Sequence, residues 1–183
     1  MHGIIHKALK DMVTEEFGEE SWQKIELAAS NPGEIYIGMQ SYSDDVTYGL
    51  IISATKELGI DIDVCLERFG EYWILDAAPS AYADVLNATS SDIIGFFRNI
   101  NSLHDRITST FPLYIPPEFY IKELGNDLYE IHYISTREGL CYFVVGLLKG
   151  VGKRFDKALE IIEFHQLECE SGEEWLYTVR VPS

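Results

Sequence analysis

Pro112, Pro116 and Pro117 divide this chain into two kinds of sequence. Proline lacks a backbone N–H and fixes φ, so neither a helix interior nor a central strand runs through such a cluster. Before it, apolar residues recur every three or four positions. After it come runs rich in β-branched and aromatic residues, one of which alternates apolar with polar positions. The chain therefore reads as α+β, with a helical N-terminal subdomain and a C-terminal α/β subdomain.

Within the helical part, Ile4, Ile5, Ala8, Leu9, Met12 and Val13 fall on one face of a helix that ends near Gly18. Ser21 suits the cap of a second helix through Trp22, Ile25 and Leu27, stopped by Asn31-Pro32-Gly33. Ser43, followed by Asp44 and Asp45, opens a third that carries Val46, Leu50, Ile51 and Ala54 to Gly59. Asp61 or Asp63 opens a fourth, through Leu66, Phe69 and Trp73. Each is short and amphipathic, so they must pack on one another. The strongest pattern runs from Ser91 to Phe111, with Ile93, Phe96, Phe97, Ile100, Leu103 and Ile107 on one stripe. His104 interrupts that stripe, while Asp105 and Arg106 face water.

Beyond the prolines, Phe119 to Leu124 and Leu128 to Ser135 flank Gly125-Asn126-Asp127 and read as a hairpin. Gly139 to Phe155 returns to helix, with Lys153 and Arg154 suiting its C-terminal end. Ala158 to Cys169 and Trp175 to Val181 read as two further strands around Ser171-Gly172, making a four-stranded antiparallel sheet. At 183 residues this is one domain. The helical subdomain is assigned to residues 1–62 and the larger one to 63–183.

A formal charge of −16 argues against nucleic-acid binding and against docking on anionic lipid. No apolar run is long enough for a bilayer span, and the N-terminus lacks the pattern of a signal peptide, so a cytoplasmic location is expected. Three cysteines, Cys65, Cys141 and Cys169, make a disulfide framework improbable. His165 and Cys169, even joined by Cys141, fall short of a tetrahedral zinc site.

The chemistry concentrates in two places. Tyr133, Ser135 and Arg137 occupy alternate positions, and an extended strand points alternate side chains to one face. A phenol, a hydroxyl and a guanidinium fork then converge on an anion such as a carboxylate. A neutral imidazole from His104 opposite them would suit an anionic, metal-containing ligand, and haem fits that description. On the residues alone, a solvated strand edge and a hydrogen-bonded core histidine remain open. His2, His6, His132 and His165 read as surface or structural. Neither a nucleophile–base pair nor a phosphate-cradling glycine loop is evident, so the chain reads as a binding module and not an enzyme.

The Tyr-x-Ser-x-Arg pattern at Tyr133, Ser135 and Arg137, with Leu103-His104-Asp105 upstream, resembles the haem nitric oxide/oxygen binding (H-NOX) family. The resemblance extends to Met1-His2-Gly3-Ile4-Ile5, Tyr42 to Tyr48, Phe69-Gly70-Glu71-Tyr72-Trp73, Pro116-Pro117 and Gly146-Leu147-Leu148. It is nearest the cyanobacterial type, and the family includes the haem domain of soluble guanylate cyclase. It implies haem b held between the subdomains, with His104 as the iron ligand and Tyr133, Ser135 and Arg137 on the propionates. Ile5 and Pro117 match positions that press on the porphyrin, and Trp73 matches a distal one.

Oxygen-binding members use a distal tyrosine. Counted forward from Arg137, Tyr142 takes that place; counted back from Gly146, Phe143 does. One residue turns a helical side chain by about 100°, so the two cannot share a direction. The anchor inside the helix favours Phe143, and with it nitric oxide and carbon monoxide over oxygen. The family mechanism then implies a gas sensor in which weakening of the iron–His104 bond moves the subdomains. A histidine kinase or cyclic-dinucleotide signalling enzyme is the implied partner. An oxygen sensor or gas carrier using Tyr142, and a non-haem module for an anionic ligand, are the alternatives.

Overall fold

The proline cluster is where the architecture turns from helix to sheet. The computed structural model describes residues 1–80, 86 and 90–182. Helices α1 (Gly3–Phe17), α2 (Glu19–Ala28), α3 (Asp44–Leu58) and α4 (Ile62–Tyr72) come first, and α4 runs into a π-helical turn, Trp73–Ala77. Helix α5 (Ile93–Thr110) precedes the prolines. After them come β1 (Glu118–Gly125), β2 (Leu128–Ser135), α6 (Cys141–Arg154), β3 (Glu160–Leu167) and β4 (Glu173–Arg180). Among the described residues, no helix is long and apolar enough to cross a membrane.

Local chemistry sets most boundaries. Ser43 Oγ accepts from Asp45 N at 3.3 Å to start α3, and Gly59, at φ 64°, ends it in the left-handed region. Asp92, one residue past the expected Ser91, caps α5 by accepting from Gly95 N at 2.8 Å. The sequence misplaces the cap of α2. That helix begins at Glu19 behind Gly18, and Ser21 lies inside it, donating to Phe17 O at 3.1 Å.

The four strands are antiparallel in the order β1-β2-β4-β3. β2 is therefore central, and Ile131, Tyr133 and Ser135 are its buried positions. Strand β4 starts two residues before the expected Trp175, so Glu173 pairs with Ser135.

Two apolar clusters form the interior. One joins α1 to α4 through Leu9, Met12, Trp22, Leu50, Leu66 and Phe69. The other joins α5, the sheet and α6 through Phe96, Phe97, Leu103, Ile131, Leu148 and Tyr177. Helices α4 and α6 meet at a seam where only glycine fits: a Cβ on Gly70 would lie 2.0 Å from Phe143 O, and one on Gly146 would lie 2.0 Å from Glu67 O. Lys149 pairs with Glu67 at 2.6 Å on the rim of the same seam. Gly70→Ala is expected to destabilise the protein by about 2 kcal/mol or more, because the backbones must separate. Chemical denaturation would measure this, and an unchanged midpoint would refute the close seam.

Candidate functional site

His104 sits on the inward stripe of α5, half-buried, with Nδ1 3.0 Å from Pro117 O. A carbonyl only accepts, so Nδ1 carries the proton and Nε2 the lone pair. Burial pulls the imidazole pKa below its usual value, against the opposing effect of the Pro117 hydrogen bond. The ring is therefore held neutral with a fixed tautomer, the condition for metal ligation.

Three adjoining cavities lie around this helix, two of them bordered by His104. The outermost, about 310 Å³, reaches from Ile5 and Leu147 to Tyr133, Ser135 and Arg137. The two inner ones, about 140 and 90 Å³, are both lined by His104 and Trp73. Ile5 and Tyr114 border all three, and Pro117 borders the outer and the larger inner one. Tyr114 thus stands between the imidazole and the polar mouth, with its ring centroid 6.2 Å from that of His104 and 4.8 Å from that of His2.

Phe143 and Leu147, one helical turn apart on α6, line the outer and the larger inner cavities. Tyr142 points elsewhere. It packs edge-on against Phe164 at 5.6 Å, and the charge of Asp63 raises its phenol pKa. The glycine seam contributes to this choice, since α6 cannot rotate about its axis without driving a Cβ-bearing residue into α4.

The mouth is polar and paired. Ser135 Oγ accepts from Arg137 N at 3.0 Å, and burial pushes the Tyr133 phenol well up. Arg137 lies past the end of β2, so the tight turn at Ser135, and not strand alternation, aims it. Its Nη1 donates to Ile115 O at 2.8 Å. Its Nε is 3.0 Å from Asp44 Oδ2, yet the N–H is not aligned with that oxygen and is buried without a hydrogen-bond acceptor. Asp44 also accepts from the Met1 amine at 2.6 Å. Burial works to raise the Asp44 pKa, but the hydrogen bond from the Met1 ammonium and the positive charge of Arg137 outweigh it and hold the carboxyl below its usual range.

Sequence reasoning missed three members of this site. Asp44 reads as a helix start and is one, but it also neutralises Arg137. Tyr114 stands among the prolines with no periodicity to mark it. His2 is not on the surface: it is 5 % exposed and lies on the wall of the outer cavity. His6 is structural, bonded to Thr47 Oγ1 at 2.6 Å, with burial holding its pKa at about 4. His132 lies 3.4 Å from Glu174 and His165 is exposed. His165 is on β3, which ends at Leu167 before Cys169, so the two are not one helical turn apart. Among the described residues, no cluster of three or more His, Cys, Asp or Glu could hold a metal ion.

A lone imidazole lone pair, flat apolar walls and a cation with an orphaned N–H at the mouth form the donor set for a planar metal macrocycle with acid tails. Comparison with known proteins agrees: the family model described as "Haem-NO-binding" matches residues 2–163. The chain belongs to the haem-NO-binding family. The Caenorhabditis elegans soluble guanylate cyclase gcy-32 is 29 % identical over 167 residues, covering 88 % of this chain and 24 % of that protein. The chain thus spans about a quarter of the length of the curated relatives it matches. An H-NOX protein from S. oneidensis in the Fe(II) ligation state superposes with a TM-score of 0.86 at 20 % identity, covering all of this chain and 97 % of that one. An oxygen-binding H-NOX domain in its oxygen complex superposes at 0.83 with 16 % identity, covering 100 % and 96 %. The shared architecture is α+β, with the four-stranded antiparallel sheet described above.

In this haem-NO-binding domain the Asp44 pair makes a testable contribution to stability. A carboxyl whose folded pKa is depressed stabilises the fold above its unfolded pKa, and that stability is lost as pH falls through the folded value. Asp44→Asn should therefore remove part of the acid limb of stability against pH. Denaturant midpoints between pH 2 and 6, roughly the carboxylate range, would show it.

Proposed function

We propose that this chain is a haem-based sensor of nitric oxide and carbon monoxide that passes the event to a partner protein. The observation that carries the reading is the Nε2 lone pair of His104 beside an apolar inner cavity that shares Ile5, Phe143 and Leu147 with the outer cavity holding Tyr133, Ser135 and Arg137. Haem b, the family's cofactor, would supply an iron able to take a diatomic gas. His104 would hold that iron through Nε2, and Pro117 O fixes the ring that would do so. Arg137 neutralises the propionates through its orphaned N–H, with Tyr133 and Ser135 completing the set. Ile5 and Pro117 bear on the macrocycle from the cavity wall.

Gas selectivity follows from the other wall. Phe143 and Leu147 offer no hydroxyl, and Trp73 has only an indole N–H, so a polar oxygen adduct gains little there. Neutral nitric oxide and carbon monoxide need less help. Signalling requires that gas binding favour one of two arrangements of the chain. The movable element is α5, which is tied at His104 to the proline cluster and hence to β1. The acidic surface selects a partner, a histidine kinase or a cyclic-dinucleotide or cyclase enzyme.

His104→Gly should lose the intense haem band and regain it with added imidazole. Protein that stays colourless with haemin, or His104→Gly that keeps its spectrum unchanged, would overturn the reading. Arg137→Ala should release haem to a scavenger globin about a hundredfold faster, as expected for a lost charge-assisted bond at a partly buried site. In air, the reduced protein should form no stable oxygen complex; Phe143→Tyr should gain one, and Tyr142→Phe should change nothing. A stable oxygen complex in the unaltered protein would sink the assignment of Phe143.

A further inference from the structure

Glu173 is a buried carboxyl group to which the gas-binding scheme gives no role. It is 3 % exposed at the first position of β4, paired across the ladder with Ser135 of the mouth. Its Oε2 accepts from Gly139 N at 2.8 Å and its Oε1 from Leu140 N at 3.1 Å. Those two amides stand at the start of α6, whose cap position is Leu140. A leucine has no acceptor to offer the free N–H groups of a helix, and α6 has no acid in its own first turn. A side chain more than thirty residues away supplies what the local sequence lacks.

The position of this clasp matters because of what lies on either side. Upstream is the turn from Ser135 to Arg137, and downstream is the first turn of α6 with Tyr142 and Phe143. The two ways of counting to the distal residue disagree by one position, and this loop is where the extra residue must be absorbed. Gly139, at φ 78°, makes the left-handed turn in this loop. Gly172 presses the entry to β4 against the end of β2, where a Cβ would fall 2.1 Å from Ser135 O. The carboxyl is thereby held at a fixed height over the loop. The glycine seam holds α6 from Phe143 onward, where a Cβ on Gly70 would lie 2.0 Å from Phe143 O, and the Tyr177 hydroxyl donates to Cys141 O at 2.9 Å. Ahead of those contacts, the amides that open the helix are held by Glu173.

We propose that Glu173 is a positioning residue for gas selectivity, clasping Gly139 and Leu140 so that α6 begins in the register presenting Phe143, not Tyr142, to the cavity. Resting on the functional reading above, this adds a determinant that touches neither haem nor gas. Without the clasp, the first turn loosens and the Tyr142 hydroxyl gains access to the distal face.

The test compares the unaltered protein with Glu173→Gln, Glu173→Ala and Glu173→Ala combined with Tyr142→Phe. Backbone hydrogen exchange over residues 138–146, on protein as purified, should speed up about tenfold or more in the single variants, while α4 keeps its protection. In the ferrous carbon monoxide complex, the C–O stretching band should shift or split in Glu173→Ala and return to a single band when Tyr142→Phe is added. Exchange within about twofold of the unaltered protein, or an unmoved C–O band, would overturn the proposal. Should Glu173→Ala fail to fold, Glu173→Gln keeps one acceptor oxygen and carries both measurements. If the unaltered protein takes up no haem, the exchange result still judges the clasp, and only the sensor reading falls.

Discussion

The hydrogen bond from His104 Nδ1 to Pro117 O joins the two halves of this molecule at its functional centre. It fixes the tautomer of the imidazole, and with it the nitrogen that can ligate a metal. It also ties the longest helix to the segment that starts the sheet. Asn101, three residues earlier on α5, strengthens the tie, donating to Phe119 O at 2.8 Å and accepting from Phe119 N at 3.0 Å. A pull on the imidazole is therefore felt by helix and strand together. The proline carbonyl suits this task because proline's ring stiffens the backbone that presents it.

The opposite wall is set by packing instead of hydrogen bonding. Glycines at the α4–α6 seam bring two backbones into contact, and the charged rim pairs help to keep them in register. Close backbone approach leaves a helix little rotational freedom, so the seam helps to set which residue faces the cavity. A helix packed through long side chains would tolerate the rotation that exchanges Phe143 for Tyr142.

At the mouth, charge is balanced locally even though the chain as a whole is strongly acidic. Arg137 is shared between Asp44 and Ile115 O while one of its N–H groups stays buried and unused. An incoming carboxylate would meet a cation that is already positioned. That removes part of the ordering cost of binding.

The sequence by itself determined the order of helices and strands, the break at the prolines, the inward direction of His104 and the Tyr133-Ser135-Arg137 motif. Those features rest on periodicity, on proline's missing N–H and on residue chemistry, all of which act over a few neighbouring positions. The tertiary structure alone decided that Asp44 and Arg137 pair, that His2 and Tyr114 line the cavity, and that Glu173 caps α6. Each of those depends on groups far apart in the chain, and no local pattern encodes where a second element will bring its partner. The misplaced cap at Ser21 has the same origin in miniature: a serine signals a helix start only where the preceding chain leaves the helix, and Gly18 had already done so.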